Sequence, residues 1–217
     1  VCSEQIFDLS FRPYGEYLAT GLIDGSVEVW KYGVGENVNQ LMMREKVAKG
    51  SVRGVSFNSS GTSLYTISSD LMFRSVDSTG KTQFKFRAHD DAPNQMYLID
   101  DNMIVTGDDS GSVKLWDLRT DCKNSAVCEW HVHEDFVASF TYDEERSTLL
   151  SVSGDCSLAA YDLRRPSVES VQKSDDQEAE LHCVQIIKKG KKVVCGTQNG
   201  VILTFKWGQW GDCNDRY

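Results

Sequence analysis

The sequence predicts an all-β fold assembled from repeated four-stranded units, and three observations carry that prediction. The first is an internal repeat: residues at positions 30, 76, 116, 161 and 205 close five related segments and lie 46, 40, 45 and 44 residues apart. That spacing is close to the roughly 40–45-residue period of sheets that repeat as four-stranded units. The second is alternation, with Val27 and Val29, and again Val113 and Leu115, separated by polar residues as a strand with one buried face requires. The third is turn chemistry: Pro13-Tyr-Gly15, Asp24-Gly25, Asn58-Ser-Ser-Gly61 and Gln198-Asn-Gly200 punctuate the apolar runs. No long helical periodicity competes with this pattern.

Each unit can be followed along the chain. The first copy runs from Leu18 to Trp30 and is preceded by an expected strand, Ile6–Phe11. A weaker second copy, Thr66 to Val76, follows an expected strand Val52–Phe57. The third and clearest is Thr106-Gly-Asp-Asp-Ser-Gly-Ser-Val-Lys-Leu-Trp116, led by the apolar Met103, Ile104 and Val105. The fourth, Ser151 to Tyr161, follows an expected strand Phe136–Thr141, and the fifth runs from Cys195 to Phe205. The units are expected at about residues 1–45, 46–88, 89–132, 133–178 and 179–217, within a single domain.

Composition narrows the function classes. Of 217 residues, 40% are hydrophobic and 25% charged, which is enough apolar material for a packed core. The balance of 32 acidic and 23 basic residues, net −9, argues against broad binding to nucleic acid or anionic membrane, since phosphate attraction needs excess Lys and Arg. No apolar stretch approaches the roughly 18 residues of a membrane span; no charged-then-apolar signal pattern is read at the first residues, and because these begin with Val rather than Met a trimmed start is expected. The seven cysteines (Cys2, Cys122, Cys128, Cys156, Cys183, Cys195 and Cys213) are odd in number and lack close-pair spacing, so reduced intracellular thiols are expected rather than a disulfide framework or a zinc site.

The third unit carries His89, Thr106 and Trp116-Asp117, and the fourth echoes it with His133, Ser151, Asp155 and Tyr161-Asp162. On these residues the chain resembles the WD-repeat family of β-propellers. The likeness runs from the first blade to the end of the chain and is fullest at Thr106 to Asp117, Ser153 to Leu158, Gly190 to Gly200 and Phe205 to Arg216. It implies a seven-bladed ring of which five blades are visible here, so that the chain is expected to be incomplete at its C-terminus; a closed five-bladed ring would depart from the family.

Ser, His and Asp together are the ingredients of a nucleophilic triad. The resemblance implies a structural use instead, a buried hydrogen-bond network made by His89, Thr106, Asp109 and Trp116 in the third blade, by His133, Ser151, Asp155 and Tyr161 in the fourth, and by Thr20, Asp24 and Trp30 in the first. Such a network satisfies polar groups that would each cost about 1–3 kcal/mol if buried unpaired. The second, third and fifth blades depart from it in places. Ser110 stands at the turn-Asp place of the third blade, beside Asp109. Val76 replaces the Trp of the second, and the fifth has Cys195, Asn199 and Phe205. The second and fifth blades are therefore expected to rely more on packing.

Several surface motifs have simpler accounts. Gly80-Lys81-Thr82 lacks the earlier Gly of a phosphate loop and reads as a hairpin turn. Asn58-Ser-Ser60 matches a glycosylation sequon without a secretory signal. Lys188-Lys-Gly-Lys-Lys192 is the densest basic run; a solvated turn is favoured over an RNA contact or a nuclear-import signal. Asp175-Asp-Gln-Glu-Ala-Glu180 reads as a solvated loop leading into the fifth blade.

Trp116-Asp117-Leu118-Arg119 and Tyr161-Asp162-Leu163-Arg164 are different. In WD proteins that serve as substrate receptors of cullin-RING ubiquitin ligases, this motif docks the adaptor, which makes Asp117, Arg119, Asp162 and Arg164 candidate partner-binding residues. If they lay on a strand, Asp and Arg two apart would share a face; alternatively the Asp caps the turn after the strand. The resemblance thus implies a non-enzymatic interaction scaffold in ribosomal RNA processing and large-subunit assembly. Its expected location is the nucleus and nucleolus, with the cytoplasm as a further compartment. Its expected partners are basic assembly proteins rather than RNA or membrane. The alternative is a substrate receptor of a cullin-four ligase. No cofactor or metal site is expected.

Overall fold

The computed structural model describes residues 2–33, 39–120 and 125–217; Cys122 lies outside them. Among the described residues the chain forms strands joined by turns, with one short 3-10 segment at Val168–Ser170. The strands assemble into five four-stranded antiparallel sheets, each in chain order. The first holds β1 (Ile6–Phe11), β2 (Tyr17–Leu22), β3 (Ser26–Lys31) and β4 (Gln40–Lys46). The second holds β5 (Val52–Phe57), β6 (Ser63–Ser68), β7 (Met72–Asp77) and β8 (Thr82–Arg87). The third comprises β9 (Pro93–Leu98), β10 (Met103–Asp108), β11 (Ser112–Asp117) and β12 (Cys128–His131). The fourth comprises β13 (Val137–Asp143), β14 (Thr148–Ser153), β15 (Leu158–Asp162) and β16 (Gln172–Lys173). The fifth is β17 (Leu181–Ile187), β18 (Lys192–Thr197), β19 (Ile202–Lys206) and β20 (Asp215–Arg216).

The all-β class is as the sequence predicts. The expected strands Ile6–Phe11 and Val52–Phe57 coincide with β1 and β5, whereas the third begins at Val137 rather than Phe136 and runs on to Asp143. Phe136 stands just before the strand, where its carbonyl accepts the Gly154 amide at 3.0 Å and its ring lies 6.0 Å from that of His182. Strand position explains composition. The second strands β6 and β14 are buried on both faces past their first residue and use short polar or apolar side chains, whereas the outer strand β4 is exposed almost throughout and carries Gln40, Arg44, Glu45 and Lys46. A bulge recurs near the start of β1, β5, β13 and β17. It is a repeated feature of the first strand, and it bends the strand there.

The chain divides into two compact units, one formed by Val1–Thr106 and Trp116–Ser125, the other by Gly107–Leu115 and Ala126–Tyr217. Each has its own core. In the first, Ala19 and Val27 pack with Val52, Val55 and Leu64. An aromatic run also links Tyr65, Phe73, Phe86 and Trp116 there, with successive centroids 5.5, 4.9 and 4.8 Å apart. In the second, Leu150, Val152 and Leu158 pack with Leu181, Val184, Val193 and Phe205. Each large side chain so buried contributes about 1.5–3 kcal/mol relative to exposure.

Candidate functional site

The fourth sheet builds the fullest polar network. His133, in the segment leading into β13, meets Ser151 of β14 through Nε2 at 2.7 Å, and Ser151 Oγ meets the Tyr161 hydroxyl of β15 at 3.0 Å. The other ring nitrogen, Nδ1, lies 3.1 Å from Asp155 Oδ2 and 3.1 Å from Ser157 Oγ in the β14–β15 turn. Asp155 also accepts the Glu134 amide at 3.0 Å and Lys173 Nζ at 3.0 Å. Burial works to raise the Asp155 pKa, but the bonds from His133, Ser157 and Lys173 outweigh it and hold the carboxyl far below the usual range. Burial drives the Tyr161 phenol well above its ordinary value.

Ser151, His133 and Asp155 are thus in hydrogen-bond sequence, as in a nucleophilic triad. Ser151 and Tyr161 are nevertheless fully buried, and the Ser151 oxygen is taken from both sides. No substrate reaches Ser151 Oγ in this arrangement, and the bonds instead tie three strands and a loop together.

The third sheet repeats the motif with a tryptophan. His89 Nε2 lies 2.7 Å from Thr106 Oγ1, and Trp116 Nε1 donates to the same oxygen at 2.8 Å. At the end of β10, Asp108 is the buried carboxylate that accepts the Ser110 amide at 3.0 Å and the Ser112 amide at 2.9 Å. The expected Asp109 is exposed, one residue further on. Because Ser110 stands at the turn-Asp place, its neighbour two residues back supplies the turn's acceptor.

The first sheet departs from the expected Thr20, Asp24 and Trp30 network. Trp30 Nε1 donates to Glu28 at 3.0 Å, and Ser3 Oγ donates to the same buried carboxylate at 2.6 Å. Asp24 accepts the Ser26 amide at 2.9 Å and Arg44 at 3.1 Å. Thr20 Oγ1 is left buried without a nitrogen or oxygen partner, beside the Cys2 thiol. With a carboxylate two residues before it on β3, the indole has a stronger acceptor than a hydroxyl.

The second sheet, expected to rely on packing, has the aromatic run and also a buried ion pair. Arg74 of β7 donates to Asp70 Oδ1 at 2.9 Å, to Asp70 Oδ2 at 2.5 Å and to Ser68 Oγ at 2.7 Å. In the fifth, Cys195 and Phe205 are buried and Thr197 bonds Asn199 at 2.6 Å.

Both Asp-Leu-Arg motifs lie at the end of a strand rather than along one. Asp117 closes β11 and Asp162 closes β15, while Arg119 and Arg164 sit in the following turns. Asp117 accepts the Arg119 amide at 3.0 Å, Nε at 2.9 Å and Nη2 at 2.8 Å. Asp162 accepts the Arg164 amide at 3.0 Å, Nε at 2.8 Å and Nη2 at 2.6 Å. These bonds hold each carboxyl down at about 2. Each guanidinium is fixed side-on to its own Asp, with the Arg side chain 66% exposed and Nη1 uncommitted among the described residues. The capping geometry proves to be the local one, and it presents a pre-set arginine at the surface.

The remaining motifs fall in turns. Lys188, Lys189 and Gly190 form the β17–β18 turn with φ of 51°, 54° and 73°. Gly80 lies in the β7–β8 turn, where Asp77 accepts the Thr79 and Lys81 amides at 2.8 and 3.1 Å. Asn58 organises the β5–β6 turn by accepting the Thr62 and Ser63 amides at 2.9 and 3.0 Å. In the acidic run, Asp175, Asp176 and Glu178 are exposed whereas Gln177 is buried. The six described cysteines are unpaired. Among the described residues no three His, Cys, Asp or Glu side chains converge to hold a metal ion, and no helix is long and apolar enough to cross a membrane.

Four-stranded sheets repeating every 40–46 residues, with His, Ser or Thr and Trp or Tyr joined inside them, define a WD-repeat protein. Comparison narrows the class: the chain belongs to the WDR55 family, whose model matches residues 1–217. It is 35% identical over 215 residues to WD repeat-containing protein 55 of Arabidopsis thaliana, covering 97% of this chain and 59% of that protein. It is 36% identical over 216 residues to WD repeat-containing protein JIP5 of Coprinopsis cinerea, covering 98% and 52%. To human WD repeat-containing protein 55 it is 32% identical over 211 residues, covering 96% and 54%. The chain therefore spans between 52% and 59% of the length of these relatives. The family is of the scaffold type, not known for enzymes.

Proposed function

We propose that the chain is part of a non-enzymatic protein-interaction scaffold acting in nucleolar ribosome biogenesis, in ribosomal RNA processing and large-subunit assembly. The observation that carries the scaffold reading is where the polar chemistry lies. The His, Ser, Thr and Asp side chains that would serve catalysis are sealed inside the sheets, and what faces outward is turns and strand edges. The ribosomal part rests on the family likeness and on the net charge of −9, which favours basic proteins over RNA as direct partners. Affinity purification of the tagged protein from nucleolar extract tests it. Co-purifying pre-ribosomal assembly factors are the expected result, and their absence overturns the assignment.

A second reading, a substrate receptor of a cullin-four ubiquitin ligase, is favoured by the two Asp–Leu–Arg turns. Each holds its arginine pre-set and two-thirds exposed, so an adaptor would meet a guanidinium that needs no further ordering. Substituting Arg119→Ala together with Arg164→Ala removes both heads. The pairs are exposed, so the fold is expected to survive. Loss of adaptor binding in a pull-down supports this role, and undiminished binding removes it.

A further inference from the structure

We infer that the groove between the first and second sheets is a docking site for an extended peptide bearing a large apolar side chain beside a carboxylate. The groove encloses about 260 Å³ and is lined by Tyr17, Met42, Met43 and Phe57, with Arg12 and Asp77 among its polar walls. All of these residues belong to one compact unit.

The apolar floor is built by a backbone irregularity. On β3 and β4, Trp30 pairs with Leu41 and Val29 with Met43, so Met42 is the extra residue of a bulge. Consecutive residues of a regular strand point to opposite faces; across this bulge Met42 and Met43 both line the groove. Met42 is 49% exposed and so is open to a ligand from solvent. Unbranched thioether side chains re-pack around ligands of varied shape, which suits them to peptide recognition. Because β4 is the outer edge of its sheet, its outward main-chain groups remain open to an extended segment laid alongside.

The charge on the rim selects the ligand. Arg12 makes no ion pair among the described residues. Its guanidinium carbon lies 5.3 Å from the centre of the Tyr17 ring, and its stem packs against Gly61, where an added Cβ would meet Arg12 Nε at 2.6 Å. Nε itself is buried without an acceptor. The cation is therefore positioned by packing and left unneutralised, and a carboxylate reaching its terminal nitrogens would supply the missing charge-assisted bonds. Asp77, on the other wall, spends Oδ1 on its own turn, so a second acid at that end of the ligand would be repelled. A single carboxylate next to a large aliphatic or aromatic side chain satisfies both walls. The inference stands on this groove alone and is independent of the ribosomal and ligase readings.

Random peptides displayed on phage and selected on the intact protein provide the probe, and a synthetic copy of the enriched sequence is titrated into protein labelled at the methionine methyl groups. Enriched peptides are expected to pair one acid with a large apolar residue. Binding is expected to saturate and to shift the Met42 and Met43 methyl signals while Met96 and Met103 stay in place. Exchange of the acid for its amide, or Arg12→Gln, should each weaken binding about tenfold, and the two together no further, as loss of one charged hydrogen bond predicts. Should Arg12→Gln move the Met96 and Met103 signals, indicating a disturbed fold, the amide peptide on the unaltered protein carries the comparison, and its undiminished binding overturns the inference. Four other outcomes each overturn the inference: no enrichment, enrichment of basic or acid-free peptides, equal binding by Arg12→Gln, and methyl shifts that arise on concentrating the protein alone, which would make the occupant a second copy.

Discussion

The second and fourth sheets solve one problem with different residues. In both, a carboxylate sits four residues after the buried hydroxyl of the second strand, Asp70 after Thr66 and Asp155 after Ser151. In both it accepts a main-chain amide from the incoming segment, Lys49 to Asp70 and Glu134 to Asp155, each at 3.0 Å. The residue before that amide is Ala48 in one and His133 in the other. Where His133 supplies the donor, the position on the third strand is the small Ala159; where Ala48 leaves the donor out, that position is Arg74, which reaches back to Asp70. The carboxylate and its amide are thus the constant part, and the side-chain nitrogen that meets them comes from whichever side the sequence provides. A consequence is visible one layer further in: Ser151 is doubly bonded, whereas Thr66, with neither a histidine nor a tyrosine to meet, has a buried hydroxyl oxygen without a partner.

The largest effect is expected where that substitute is broken. Arg74→Met leaves the partly buried Asp70 with only Ser68 and the Lys49 amide as donors and should cost about 3 kcal/mol in urea unfolding. The double variant Asp70→Leu with Arg74→Met should recover part of it, because the apolar pair carries no charge to compensate and the freed Lys49 amide is exposed to water. Asp70 also gives a pH signature. Burial tends to raise its pKa, but the bonds from Arg74, Ser68 and the Lys49 amide hold it at about 2 against an ordinary 3.8. A carboxyl depressed on folding contributes stability that is full above its unfolded value and is lost as pH falls through its folded one. The wild type should therefore lose about 2 kcal/mol more than the double variant between roughly pH 4 and pH 2. Equal acid slopes would show that the pair carries no weight.

A smaller effect separates sheets by sign. Thr106→Val removes the oxygen that meets both His89 and Trp116 and should destabilise by about 2 kcal/mol. At the equivalent place, Thr66→Val removes an oxygen without a partner, exchanging a buried hydroxyl for a methyl of nearly the same shape, and should stabilise by about 1 kcal/mol. Thermal unfolding of the two variants side by side reads the difference. Destabilisation by both would mean that the second sheet satisfies Thr66 after all.

These contrasts mark what was legible in the sequence. The repeat and the alternation of Val27 with Val29 and Val113 with Leu115 depend on period alone, and they led directly to the five sheets. The networks of the third and fourth sheets were legible because their residues keep their spacing. The roles of Arg74 and Glu28 were not, because each lies at the third-strand position that Ala159 fills in the fourth sheet. Only a three-dimensional neighbour gives Arg74 or Glu28 a role. The displacement from Asp109 to Asp108 was hidden for a related reason: in two adjacent aspartates, sequence cannot say which one turns inward. Likewise the placement of Met42 and Met43 on one groove depends on a bulge, and a bulge breaks the alternation from which faces are inferred.

The smallest effect concerns the turn between second and third strands, where the same position has positive φ in all five sheets: Gly25 at 87°, Leu71 at 73°, Gly111 at 87°, Cys156 at 65° and Gly200 at 82°. Glycine takes that conformation freely, whereas a β-carbon there costs about 1–2 kcal/mol. At Gly111 glycine is also required for space, since a Cβ would lie 2.5 Å from the His133 carbonyl oxygen. Leu71 and Cys156 carry the strain. Cys156→Gly should relieve it, but glycine gains freedom in the unfolded chain that offsets roughly 0.5–1 kcal/mol of the benefit. Because the thiol makes only a 3.7 Å contact with the Gly154 carbonyl, little else is lost, and a net stabilisation of about 0.5 kcal/mol is expected in thermal unfolding. The same change at Leu71 should fall short of this, since it also strips a partly buried aliphatic side chain from the sheet. If Cys156→Gly were destabilising, the side chain at this turn would be a packing element of the fourth sheet in its own right, and the likeness between its turn and those of the first and third would end at the backbone.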